Sequence, residues 1–250
     1  MKKLTLLFTL VLAFTINAKS VEALIAKGDS LTESFNDKAA LEVYKQAEKI
    51  DANNWELQWR LSRSYSNIAA HMPKENEDEQ LAMYETALKH AEKAVKLAPE
   101  KSVPYLRRAI VNGRIALFKG VFSVGNIVTS VKNDCEKALK LNNGSTYDMA
   151  LTHYVLGRTH AKLSEKWKPA LTVLGLGWAD IDIAFKHYQK AVEMYDGYMM
   201  FYLDYAKALI KEDQEDKAKE MLKKLLTFKV QEQDDPKRIE EAKELLKELE

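Results

Sequence analysis

The chain has 250 residues, 46% hydrophobic and 30% charged, enough for one substantial domain or a repeat array. Only 9 Gly and 5 Pro stand among many Ala, Leu, Lys and Glu, a composition that favours helix throughout. A formal net charge of +1 excludes a global pull toward nucleic acid or a membrane surface, and no nucleic-acid partner is expected.

In chain order, residues 1–20 differ from all that follows. Lys2 and Lys3 precede an uncharged apolar run from Leu4 to Ile16, which gives way to Asn17-Ala18-Lys19-Ser20. This pattern reads as a secretory signal peptide, and the competing reading is an N-terminal helix of the fold. The apolar run is short for a membrane span, so the expected product is exported, periplasmic or secreted, with no stable span after cleavage. The single cysteine, Cys135, allows no internal disulfide and reads as a small buried filler of a helix.

Over residues 21–234 amphipathic helix pairs recur with small residues in register. First helices carry Gly28, Ser62, Ala109, Gly157 and Ala206. Second helices carry Ala40/Ala47, Ala87/Ala94, Val131/Ala138, Ala184/Ala191 and Ala218/Leu225, each couple two helical turns apart and so on one face. The step from each pair to the next first helix is nearly constant: Ala47 to Ser62, Ala94 to Ala109 and Ala191 to Ala206 are equal, and Ala138 to Gly157 is one turn longer. Small side chains at fixed spacing let neighbouring helix axes approach while larger ones fill the grooves. The step from first to second helix is short in the outer pairs (Gly28 to Ala40, Ala206 to Ala218). It roughly doubles in the central three (Ser62 to Ala87, Ala109 to Val131, Gly157 to Ala184). The central hairpins therefore carry extra residues, as longer helices or ordered loops. Asp235-Pro236 opens a last helix, 235–250, with an apolar stripe (Ile239, Ala242, Leu245, Leu246, Leu249), read as a cap for the array.

HYVLGRTH (153–160), DKAALEVYKQAEKIDAN (37–53) and AEKAVKLAPE (91–100) resemble tetratricopeptide repeats, the family of stacked helix–turn–helix units. The resemblance implies an all-α, right-handed superhelical solenoid of about five such pairs plus the capping helix. ELQWRLSRSYSNIA (56–69) followed by MYETALKHAEKAV (83–95), and LGR (156–158) followed by a Trp- and Pro-bearing insert, resemble more narrowly the helical repeat domain of the regulator of microtubule dynamics family. That likeness implies a binding domain whose ligand is a protein segment or a phospholipid. For an exported chain it does not extend to the microtubule.

By the same resemblance, first helices line the inner face, which places Trp59, Leu106, Ile110 and Tyr154 at the centre of a ligand groove with Arg63, Arg114, Arg158 and Lys162 around them. Aromatic rings beside guanidinium groups suit a carboxylate or phosphate. The bland reading is that the arginines pair with carboxylates on the next helix. The apolar inserts 115–128 and 167–178 either fold back as extra core or, through Phe118, Phe122, Trp167, Leu174 and Trp178, wall one end of the groove.

Catalytic chemistry is not expected. There is no HExxH, GxSxG or phosphate loop, no evident strand, and His153 and His160 fall where the repeat packs bulky side chains. Neither a metal nor a cofactor is expected. The expected function is therefore a non-enzymatic exported module that holds a peptide or protein segment, with Trp59 and Tyr154 as anchors and Arg63 and Arg158 fixing an anionic end. The alternative is a carrier for a lipid or small apolar anion.

Overall fold

A computed structural model describes residues 20–120 and 125–250, and among these every regular element is helical. The helices are α1 (20–33), α2 (Asp37–Ile50), α3 (Trp55–Ala70), α4 (Glu77–Leu97), α5 (Ser102–Lys119), α6 (Gly125–Leu141), α7 (Thr146–Ser164), α8 (Lys168–Val173), α9 (Ile181–Met194), α10 (Met199–Lys211), α11 (Glu215–Leu225) and α12 (Asp235–Glu248). But for Ser20, the expected signal segment lies outside the described residues. The chain divides into two compact units, one ending at Glu100 and the other running Lys101–Glu250.

Local chemistry sets the boundaries. Asn36, Asn54, Ser145 and Asp180 each stand just before a helix and accept a backbone N–H from its first turn, satisfying a donor that the helix itself leaves open. Asp148 closes a capping box with Ser145. The short pairs α1/α2 and α10/α11 reverse direction through one left-handed residue each, Phe35 at φ 60° and Asp213 at φ 55°. The longer pairs use their extra residues differently. A 3-10 turn (Lys74–Asn76) and a long α4 extend the second pair, and two helices of nearly equal length form the third. In the fourth, α8 interrupts the connection between α7 and α9.

The small residues sit where the pairs close. Ser62, Ala87, Ala94, Ala109, Ala138, Ala184, Ala191, Ala206 and Ala218 are fully buried. Two glycines are required by close approach. A Cβ on Gly28 would lie 2.2 Å from the Tyr44 ring, and one on Gly157 would lie 3.1 Å from the Ala184 carbonyl oxygen and 3.2 Å from the Tyr188 nitrogen. In the first unit Val21, Ile25, Tyr44, Leu57 and Leu61 form the core between α1, α2 and α3. In the second, pairs stack in chain order around Leu106, Tyr154, Phe201 and Leu209, and Ala242 of α12 joins the same cluster. Burying such side chains supplies most of the favourable free energy, roughly 1.5–3 kcal/mol for each large one.

A smaller core gathers Ala116 of α5, Val128 of α6, Leu163 of α7 and Leu171 and Leu176 around α8. It is closed by the way α8 ends: Gly175 takes φ 70° and the Leu176 N–H reaches back to the Leu171 carbonyl at 2.7 Å. This is the six-to-one bond of a glycine-terminated helix, with its usual apolar contact between Leu171 and Leu176. Among the described residues no helix is long and apolar enough to cross a membrane.

Candidate functional site

The site residues read from the sequence divide between the two units, and each unit builds its part on first helices. In the first unit Asp29, directly after Gly28, receives both Arg60 (Nε to each oxygen, 2.9 Å) and Arg63 (Nη2, 3.1 Å), together with the Tyr44 hydroxyl at 2.6 Å. The Trp59 ring lies beneath the two guanidinium groups, 4.2 Å from Arg60 and 5.1 Å from Arg63. Burial pushes the Asp29 carboxyl up, but hydrogen bonds from Arg60 and Tyr44 and the charges of both arginines outweigh it and hold it below the usual range. Tyr44 is pushed up to about 12, chiefly by burial.

The second unit uses the same register with the charges exchanged. Arg158, directly after Gly157, donates to the Tyr154 hydroxyl at 2.9 Å and pairs with Asp204 at 3.4 Å, while Tyr154 donates to Asp204 at 2.6 Å. Asp204 stands two places before Ala206, as Arg60 stands two before Ser62. An acid after the small residue thus meets an arginine on the next first helix in one unit, and an arginine meets an acid in the other. At the α5/α7 seam the equivalent positions are Ile110 and Val155, both packed against the core.

Leu106 and Tyr154 do not line an open groove, contrary to expectation. They are 0% and 2% exposed, because the next first helix packs on them and takes up the apolar surface a ligand would need. Ile110 is half-buried against the same core. The outward groups are polar: Arg158, Lys162, Lys207 and Lys211, with side-chain exposures of 37, 44, 34 and 50%. Arg114 occupies on α5 the position of Lys162 on α7 and Lys211 on α10, five places after the small residue, and is half-buried. Glu165 bridges Lys162 (3.1 Å) and Lys211 (2.7 Å), and Glu241 of α12 pairs with Lys207. Burial raises the Glu165 carboxyl, but Lys211 and Lys162 more than offset this and hold it below its ordinary value.

Lys207 stands in the first-helix register of Arg63 and Arg158, which places it on the same face, while Lys211 completes the row but falls outside the groove set expected from the sequence. The repeat register could have found Lys211, since it lies five places after Ala206 as Lys162 lies five after Gly157. The partnering acids Asp204 and Glu165 had no such signal.

The insert residues separate into inward and outward groups. Leu174 and Trp178 pack against the small core, Phe118 is half-buried at the end of α5, and Trp167 points outward. Phe122 lies outside the described residues. The inward groups therefore fold back as extra core.

The histidines of α7 and α9 form a chain along the seam that Gly157 closes. His153 Nδ1 and His187 Nδ1 share a hydrogen bond of 2.9 Å, His160 stacks on His187, and the Asp180 N–H donates to His160 Nδ1 at 3.2 Å. Burial lowers all three, with His187 and Lys190 helping to take His153 down to about 4. Among the described residues no group of three or more His, Cys, Asp or Glu is placed to hold a metal ion. Cys135 is fully buried and burial pushes its thiol up, the setting of a structural cysteine.

The fold is that of tetratricopeptide repeat proteins. A solved tetratricopeptide protein of Thermus thermophilus, TTC0263, superposes with a TM-score of 0.63 at 16% identity, over 90% of this chain and 98% of that one. PilF of Pseudomonas aeruginosa superposes at 0.52 with 12% identity, over 93% and 90%. No curated protein matches the chain in sequence. One family model, described as regulator of microtubule dynamics protein 1-3, matches residues 24–250.

Proposed function

As the chain belongs to the regulator of microtubule dynamics protein 1-3 family, we propose that its repeat array is a non-enzymatic module that holds an acidic peptide or protein segment along the first helices of the second unit. The observation that carries this reading is unused donor capacity in the row Arg158, Lys162, Lys207 and Lys211. Each lysine has three N–H donors, and among the described residues the carboxylates that pair with the row, Asp204, Glu165 and Glu241, are fewer than its cations. Among the described residues Arg158 Nε is buried with no hydrogen-bond partner. A carboxylate-bearing segment lying across α7 and α10 exchanges intramolecular pairs for charge-assisted bonds to these donors. Specificity and association rate follow from this charge pattern more than affinity does.

The composition of residues 1–20 supports the further reading that the module works outside the cytoplasm, where it meets no microtubule. The carrier reading has less support, because the insert residues that would close a lipid pocket spend their apolar surface on Ala116, Val128 and Leu163.

Arg63 and Arg158 are poor probes, since removing either strips Asp29 or Asp204 of an ion pair. The lysines are better. A labelled Asp/Glu-rich peptide, followed by fluorescence anisotropy, is expected to bind, to weaken with salt, and to lose about tenfold in affinity with Lys162→Ala plus Lys211→Ala. Equal binding by wild type and double variant, or equal binding of a Lys-rich peptide, contradicts the assignment.

A further inference from the structure

The insert between α7 and α9 has an outer surface that the fold does not use. Leu171 and Leu176 anchor it, 2% and 0% exposed, while Trp167 and Val173, at the two ends of α8, are 72% and 88% exposed. Leu117, beside Ala116 of the same small core, is 59% exposed. A tryptophan and a valine so exposed on one short turn leave apolar surface there that the fold does not bury.

Within the insert itself the charges have one sign. Between Lys166 and Ala179 there is no Asp or Glu, and Lys166 and Lys168 flank Trp167 directly. Among the described residues these two lysines have no ion-pair partner, unlike Lys162 one turn earlier. The glycine-terminated end of α8, with Leu171 and Leu176 locked beneath it, holds Trp167 and Val173 on a fixed turn.

From this arrangement we propose that the α8 tip docks onto an anionic lipid bilayer, with Trp167 and Val173 entering the interfacial layer and Lys166 and Lys168 meeting the headgroups. Tryptophan favours that layer because its ring is apolar and its N–H polar, and lysine extends its amine to the surface from an apolar stem. Few apolar groups on one small turn cannot supply the roughly 800 Å² per partner that a stable protein interface takes. Reversible surface anchoring needs no such area, because each apolar group buried in the interface and each lysine near anionic headgroups adds its own increment. The inference is independent of the acidic-segment reading, which concerns α7 and α10 and not the insert.

The test is co-sedimentation of the chain, purified from its own host, with phosphatidylcholine vesicles containing none or roughly one-third phosphatidylserine. The wild type is expected to partition onto the anionic vesicles and to be released by salt. Trp167→Ala and, separately, Val173→Asp should each reduce partitioning about fivefold or more. Lys166→Gln with Lys168→Gln should reduce it about tenfold, with unchanged thermal melting because all four side chains are exposed. Brominated lipid should quench tryptophan emission in the wild type and not in Trp167→Phe. Failure to partition, partition that all the variants share, or quenching that survives Trp167→Phe overturns the proposal. A lipid held in a groove, by contrast, would stay with Trp167→Ala in native mass spectrometry, and that result too overturns docking through the tip.

Discussion

Gly28 shows how one absent side chain organises the first unit. The Tyr44 ring fills the space where its Cβ would be, and the Tyr44 hydroxyl then reaches Asp29, which gathers Arg60 and Arg63. Gly28→Ala would gain helix propensity, about 1 kcal/mol, but must displace a fully buried tyrosine ring. The expected net result is a loss of about 1–2 kcal/mol in urea unfolding, against a gain if the ring yields freely. At this scale the sequence was half legible. The cations Arg63 and Arg158 stand out directly after a small residue, and the same position holds Asp29 in the first repeat. What was hidden is the pairing across the seam to Arg60 or Asp204, because it depends on which helix packs next. Tyr154 misled for a related reason. Its position suits an open inner face, yet here the following helix covers it and its hydroxyl is engaged by Asp204.

The α7/α9 hairpin is the element whose stability should respond most to pH. Two Nδ1 atoms sharing one hydrogen bond need at least one neutral ring, and His160 accepts a backbone N–H and so must be neutral at Nδ1. The groups facing this chain from adjacent elements are Lys132 and Glu136 of α6, Lys190 of α9 and Asp180 before it. Their effect is secondary to burial, which lowers all three histidines. The neutral rings of the folded state therefore give stability that is complete above the unfolded value of about 6.5. It is lost as pH falls toward about 4, where His153 also protonates. Allowing for screening at the half-buried His153 ring, the loss is roughly 1–2 kcal/mol. A melting curve repeated from neutral pH down to about 4.5 should show it, and His153→Gln should flatten that slope; an unchanged slope contradicts the account. The depressed carboxyls of Asp29 and Glu165 act in a lower window, their stability being lost only as pH falls below the ordinary carboxylate range. Spacing alone placed His153 and His160 on one face. It could not place His187 against them across a hairpin whose connection contains α8.

Over the whole molecule, the repeat architecture was the most legible feature. The small residues that recur in register are buried where two helices close, because close packing tolerates little else there. Division into two compact units had no counterpart in the spacing, which runs through Glu100 without a break. The inserts were legible as unusual but not as half core and half exposed, since Leu171 and Val173 differ only in which way a single turn points them. The proposed acidic segment lies along α7 and α10. Zero-length carbodiimide coupling of a bound Asp/Glu-rich peptide, read by peptide mapping, tests it at the atoms concerned. Cross-links are expected at Lys162, Lys207 and Lys211, and cross-links concentrated instead at Lys186, Lys217 and Lys223 of the second helices would contradict it.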